Sequence, residues 1–267
     1  MSDPSDANIN APVFEKLDPV FSRRNASNCC GYLLPHIKPD SHILDVGCGT
    51  GFLTLSLARL VPQGRIIGID IHEPALVQAR HLAAQHNITN VEFRHCDAQD
   101  LTTFADGAFD VAHAHMAMMH LPRPVDALRE MRRVVKPGSG LVAIRDLAAV
   151  ALVAAAPAMQ RAYTLFQQMA REAGAEPEGG RFSHVWAHEA GFAWEKMEMS
   201  SAGWEFSGPE GRRVFAESVK LSLRGLAIKL GRATASEMDE VAREWEEWER
   251  KDDARFMGLD GQVLCWK

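Results

Sequence analysis

Apolar positions along this 267-residue chain change their period several times, and each change marks an element. Short runs dense in aliphatic and β-branched residues at 41–46, 65–70, 90–95, 109–113 and 141–145 predict buried strands. Between them the apolar residues fall at helical spacing. This predicts helices from the turn Gly47-Cys48-Gly49-Thr50-Gly51 through Leu60, over 74–86 and over 124–135, the last stopped by Lys136-Pro137-Gly138. Strands separated by helices imply right-handed crossovers and a parallel sheet covered on both faces.

The two ends of the chain read differently. Residues 1–12 are polar and predict a flexible tail, and 13–37 predict a helix with Val20, Phe21, Leu33 and Leu34 apolar and Pro35 as its stop. From 148 to 174 the chain turns rich in Ala, Met and Gln at helical spacing, and 182–190 predicts a further helix ending at Gly191. A sixth strand is expected over 194–206, mostly helix over 210–257, and a closing strand over 261–266. No linker-like stretch interrupts 13–267, so one domain is expected: a leading helical segment 13–40, a core 41–147, a helical cap with the sixth strand 148–260, and a last strand 261–267. The expected fold class is α/β: a Rossmann-like, seven-stranded, mostly parallel sheet with helices on both faces. A helical cap from the N-terminal segment and the C-terminal third completes it.

Composition narrows the function. A hydrophobic fraction of 46% fits a globular protein, and a net charge of -6 argues against a nucleic-acid or anionic-membrane binder. No apolar run approaches the roughly 20 residues that span a bilayer, and residues 1–10 carry no basic and apolar leader. Cys29, Cys30, Cys48, Cys96 and Cys265 lack metal-ligand or disulfide spacing, so a cytoplasmic, reducing setting is expected.

The most informative stretch is Leu44-Asp45-Val46-Gly47-Cys48-Gly49-Thr50-Gly51. Closely spaced glycines let a strand turn sharply and approach a ligand, and the next helix offers free N–H groups. A dinucleotide fingerprint would need a glycine where Phe52 stands. Asp45, two residues before the first glycine, suits an ammonium group better than a pyrophosphate. Asp70, at the end of the second strand, can accept hydrogen bonds from two ribose hydroxyls. Together they imply a nucleoside joined to a small zwitterionic tail.

Residues 43–54 resemble the first motif of class I S-adenosylmethionine-dependent methyltransferases of the ubiquinone/menaquinone type. Gly68-Ile69-Asp70, Cys96-Asp97-Ala98 with Leu101, the stretch 109–121 and Arg133-Val134-Val135-Lys136-Pro137-Gly138 resemble their later motifs, in order, over about residues 33–146. The resemblance implies S-adenosyl-L-methionine as cofactor and S-adenosyl-L-homocysteine as product. It implies that Asp45 orients the methionine amino group, and that Gly47, Cys48, Gly49 and Gly51 admit the methionyl portion. Asp70 would hold the ribose with Ile71 against the adenine, Asp97 and Ala98 would bind the adenine edge, and Ala114, just past the fourth strand, would offer its carbonyl to the ammonium.

His113, His115 and His120 lie within eight residues. Spacing alone allows a metal site with Asp110, acid/base chemistry or plain structure. Beside the expected methyl-transfer centre, His113 reads as structural, His115 as the catalytic side chain facing the acceptor and His120 as a second candidate, with no metal. The Asn/Asp-Pro-Pro-Tyr motif of amino-group methylation is replaced by His113-Ala114-His115-Met116. The expected partner is therefore a small, largely apolar molecule, lined by Met116, Met119, Met159, Tyr163, Trp186 and Trp204. Residues 21–40 are similar to the leading helix of fungal secondary-metabolite methyltransferases, including dithiol S-methyltransferases of the gliotoxin kind, which places Asn28 near the methionyl tail. That similarity does not separate thiol from phenol or carbon acceptors; a thiol is the expected acceptor because it is already partly ionised at neutral pH. Alternatives are O- or C-methylation of a phenolic or quinone-like metabolite, and a non-catalytic cofactor-binding regulator.

Overall fold

The computed structural model describes residues 22–267 and, within them, the side chains of all but 218–226. Strand β1 (His42–Val46) lies at the centre of the sheet, hydrogen-bonded in parallel to β2 (Arg65–Asp70) on one side and β4 (Val111–His115) on the other. With β3 (Val91–His95), β5 (Leu141–Val153), β6 (Met197–Glu205) and β7 (Arg255–Trp266), the order across the sheet is β3-β2-β1-β4-β5-β7-β6. Only β7 runs antiparallel to its neighbours, β5 and β6. The result is the mostly parallel, Rossmann-like sheet that alternating strands and helices predict.

Side chains alternate between faces along each strand. Leu44, Val46, Ile67, Ile69, Ala112, Ala114, Val142 and Ile144 pack on one face against α4 (Pro124–Val134) and α6 (Ser183–Glu189). Ile43, Ile66, Val111 and Ala143 pack on the other against α2 (Phe52–Ala58) and the leading segment through Cys29, Cys30 and Leu33. Helix α3 (Glu73–Gln85) closes the β3 end around Phe93. The cap is a separate cluster in which α5 (Pro157–Glu172), α7 (Pro209–Lys229) and α8 (Ala235–Trp248) gather around Met159, Trp245 and Trp248.

Several elements depart from the sequence reading. The tail 1–12 and the part of the predicted helix before residue 22 lie outside the described residues. The described remainder of 13–40 is not one helix: α1 (Ala26–Cys29) is a single turn opened by a capping box of Asn25 and Asn28, and a 3₁₀ turn follows at Leu34–His36. Residues 148–153, expected as helix, continue β5 because β7 pairs with them from Ala149↔Leu259 to Val153↔Arg255. Pairing partners override the helical preference of an alanine-rich stretch. For the same reason the last strand starts at Arg255 rather than 261, so neither end of 148–260 is helical. Strand β4 starts at Val111 because β1 fixes its register at Ile43↔Val111, while Phe109 makes only an isolated bridge to Val135. His115 therefore ends a strand instead of opening a loop. Among the described residues no helix is long and apolar enough to cross a membrane.

Candidate active site

The turn after β1 exists because three glycines accept left-handed backbone: φ is +71° at Gly47, +52° at Gly49 and +82° at Gly51. A Cβ at Gly47 would stand 2.6 Å from that of Ala117, and one at Gly51 would stand 2.8 Å from that of Ala79. A Cβ at Gly49 would meet nothing within 4 Å. Two glycines are thus required by packing, and the middle one leaves open space at the strand ends. Asp70 shapes this cradle from β2: Oδ2 accepts from Gly49 N at 2.9 Å and Oδ1 from His72 N at 2.8 Å. Each oxygen keeps a lone pair for a ligand. Beside it Ile71 is 63% exposed, an apolar surface free for a flat ring. Asp97 accepts from Gln99 N through Oδ1 at 2.8 Å in an Asx turn, which leaves Oδ2 engaged only by a 3.4 Å contact from Gln99 Nε2. Ala98 packs against the core on the same side, and burial together with Asp45 and Asp70 pushes the Cys48 thiol up, keeping it protonated at neutral pH.

Deeper in the sheet Asp45 has protein partners for both oxygens. Oδ2 accepts from Thr54 Oγ1 at 2.6 Å, and Oδ1 accepts from His113 Nδ1 at 2.8 Å. His113 Nε2 lies 3.6 Å from Cys30 Sγ, so a buried chain runs from α2 through β1 and β4 to the leading segment. Asp45, 3% exposed, therefore reaches an ammonium only through neighbouring groups. Ala114 is not past β4 but within it, paired to Val46 and Ile144. The residue just past the strand is Met116, held at φ +53° with its N–H donating to Arg145 O at 2.7 Å. Asn28 is exposed, and its side chain closes the α1 cap, accepting from Asn25 N at 2.9 Å and donating to Arg23 O at 2.7 Å.

His115 stacks parallel to His113 with ring centroids 6.4 Å apart. It is 8% exposed, and its Nδ1 has no hydrogen-bond partner among the described residues. Burial, then the guanidinium of Arg24, the imidazole of His113 and the guanidinium of Arg145, hold its pKa well below the usual 6.5. His120 sits exposed at the end of a 3₁₀ turn, Met118–His120. No cluster of three or more metal-ligating side chains occurs among the described residues.

A profile described as a methyltransferase domain matches residues 37–197, more than half of the chain. An uncharacterized methyltransferase of Schizosaccharomyces pombe is 31% identical over 256 residues, covering 91% of each chain. The chain belongs to the methyltransferase family. A demethylmenaquinone methyltransferase of Listeria monocytogenes is 31% identical over 142 residues, 49% of this chain and 60% of its own. Among solved structures, the Haemonchus contortus phosphoethanolamine N-methyltransferase 2 bound to S-adenosylhomocysteine superposes with a TM-score of 0.54 at 16% identity, over 86% of this chain and 49% of its own, and shares the fold. The methyltransferase uses S-adenosyl-L-methionine. The open space at Gly49, the remaining acceptor capacity of Asp70 and the bare surface of Ile71 fit the aminoacyl, ribose and adenine parts of that molecule.

The apolar residues expected around an acceptor do not all converge. Met119 and Trp186 come together at Gly179, where a Cβ would lie 3.0 Å from both. Met159 is fully buried in the cap core instead, and Trp204 packs there too, donating through Nε1 to Asp260 Oδ1 at 2.7 Å. Helical spacing marks both an apolar lining and an apolar core, and here the core claims Met159. Tyr163 is half-buried on α5, its hydroxyl facing the Gln167 side chain one turn on. Sequence reasoning missed Arg145 and Asp146, both buried at the core end of β5, although two charges directly after the apolar run 141–144 were a signal. The Asp146 carboxylate faces the backbone N–H groups of Ala117 and Met119, yet burial outweighs them and raises its pKa well above the usual carboxylate value.

The two buried histidines oppose each other in pH dependence. Burial alone would lower the pKa of His113, but the sulfur of Cys30 and the carboxylate of Asp45 outweigh it and raise it to about 10 from 6.5. Its contribution is complete below pH 6.5 and is lost as pH rises toward 10. His115, depressed, stays neutral in the fold while the unfolded chain gains a proton below pH 6.5, so acid removes stability. The two histidines together therefore contribute most near pH 6.5, and Asp146, its carboxyl pKa raised by burial, adds to the loss as pH rises. Denaturation midpoints across pH check this, and His113→Gln should flatten the alkaline limb; a midpoint rising steadily from pH 6.5 to 10 would refute the charged His113.

Proposed function

We propose that the methyltransferase acts on a small, largely apolar molecule, that the methylated atom is a thiol sulfur of a secondary metabolite, and that its branch is that of the gliotoxin-type dithiol enzymes. Bound S-adenosyl-L-methionine supplies an electrophilic methyl on a sulfonium. In this reading Gly47, Cys48, Gly49, Gly51, Asp70, Ile71, Asp97 and Ala98 hold the cofactor. Asp45 and Ala114 support the site from beneath, and Asn28 borders it from α1. Met116, Met119 and Trp186 form the acceptor side, with Tyr163 on the cap. The buried thiols Cys29, Cys30 and Cys265, all unpaired, support a reducing, cytoplasmic setting.

The observation that carries this reading is the neutral His115 with its open Nδ1 at the end of β4. An imidazole so disfavoured as a cation accepts a hydrogen bond from the acceptor more readily than it keeps a proton. That suits a thiol, whose ordinary pKa near 8.5 already gives some thiolate at neutral pH. Alignment for in-line displacement can then supply much of the rate without a strong base. Quinone-like or phenolic acceptors are the second reading, favoured by the similarity to a demethylmenaquinone methyltransferase.

A panel of thiols, phenols and quinols with labelled cofactor distinguishes the two. Thioethers are expected; methylated phenols or ring carbons without thioethers would decide for the second reading. His115→Ala should lower turnover about ten- to a hundredfold and leave S-adenosylhomocysteine affinity unchanged, and a fully active variant would remove His115 from the acceptor site. Saturating S-adenosylhomocysteine should raise the melting temperature, whereas NAD should not.

A further inference from the structure

The chain turns sharply as it leaves β4. Met116 stands at φ +53°, a left-handed backbone that a side chain other than glycine adopts only where its surroundings impose it. The 3₁₀ turn Met118–His120 follows at once, and the first N–H groups of such a turn have no acceptor within it. Two consecutive residues of β5 meet these needs. Arg145 O accepts from Met116 N at 2.7 Å. The side chain of Asp146, 0% exposed, faces the N–H groups of Ala117 and Met119.

Asp146 follows Val142 and Ile144 on the face of the sheet that packs against α4 and α6, whereas Arg145 points to the other face. There the chain closes around it. Gly180 comes so near that a Cβ on it would stand 2.1 Å from Asp146 O, and a Cβ on Gly179 would stand 3.0 Å from Met119 and from Trp186. Met119 O accepts in turn from Glu176 N at 3.0 Å. The turn after β4 is therefore held from β5 on one side and from the segment after α5 on the other. A buried carboxyl is costly; an apolar side chain would avoid that cost but strand the two N–H groups. Burial favours the neutral form of Asp146, so it gives the turn an acceptor rather than a charge.

We propose that Asp146 is a positioning residue for the acceptor: it holds the backbone from Ala117 to Met119 against β5, and so fixes Met116 and Met119 on the acceptor side without bearing on cofactor affinity. The proposal rests on the acceptor side read above. It makes the fit of the acceptor depend on a buried side chain that the acceptor itself does not reach.

The test compares Asp146→Leu, which keeps the branching and removes the acceptors, with Asp146→Asn, which keeps one. Hydrogen exchange over residues 116–121, calorimetry with S-adenosylhomocysteine and turnover of benzyl mercaptan are the readouts. In Asp146→Leu, exchange over 116–121 should quicken about tenfold while that over β1 holds. The KM for benzyl mercaptan should rise about tenfold, with the Kd for S-adenosylhomocysteine unchanged. Asp146→Asn should bring both close to the wild-type values. Exchange that quickens equally over β1 and 116–121, a Kd raised as far as the KM, or an Asp146→Asn as impaired as Asp146→Leu would overturn the proposal. If Asp146→Leu does not fold, Asp146→Ser, too short to serve both N–H groups, decides by the same measures. If benzyl mercaptan is not methylated, the thiol reading fails, while exchange over 116–121 still judges Asp146.

Discussion

Replacing Asp70 by Ala is expected to weaken S-adenosylhomocysteine binding by about a hundredfold. Two losses add. The carboxylate accepts from Gly49 N at 2.9 Å and His72 N at 2.8 Å, so its removal frees the middle of the glycine turn. It also removes the acceptor available to the ribose hydroxyls, and an unpaired polar group at such a site costs about 1–3 kcal/mol. About 2.7 kcal/mol in sum corresponds to that hundredfold. Asp70→Asn, which retains one oxygen, should fall between. Calorimetry on both variants checks this, and an unchanged Kd in Asp70→Ala would take Asp70 out of the cofactor site.

Trp248→Ala should destabilise the protein by about 3–5 kcal/mol. The side chain is 0% exposed, stands edge-on to Trp245 at 5.2 Å, and donates from Nε1 to Val153 O at 2.8 Å. Truncation leaves a cavity at the centre of the cap cluster and an unpartnered carbonyl at the far end of β5. Trp248→Phe should cost less, because much of the ring volume remains. Denaturant midpoints measure both, and a loss below about 1 kcal/mol would mean that the cap is not packed around this residue.

What could be read from the chain beforehand follows from how local each signal is. The glycine turn, Asp70 and strands β1 and β2 lie within 30 residues, and their meaning is carried by neighbours in sequence. The continuation of β5 through Val153 depends on a partner beginning at Arg255, so an alanine-rich stretch looks helical until that partner is known. The same holds for the site. The partner of Asp45 is His113, 68 positions later, and the partner of Arg145 is Asp260, 115 positions later. Neither pairing leaves a periodic trace. Met159 shows the converse failure: its spacing on α5 is plain, but spacing does not tell a ligand-facing stripe from one that faces α8.

The extension of β5 and β7 past the bulge between Leu147 and Ala149 bears on how the cap is joined to the sheet. Beyond that irregularity, β5, β7 and β6 leave the parallel sheet behind and run on as an antiparallel arm, as far as Glu205↔Met257 and Val153↔Arg255. The helices of the cap are carried on this arm, and their hydrophobic cluster shares no buried residue with those beneath the glycine turn. The two clusters are joined through polar groups instead: Trp204 on the arm donates to Asp260, and Asp260 accepts from Arg145 at the core end of β5. The bulge is thus the hinge line between the sheet that carries the glycine turn and the arm that carries the cap, and Asp260, on the core side of it, is where the two sides exchange hydrogen bonds.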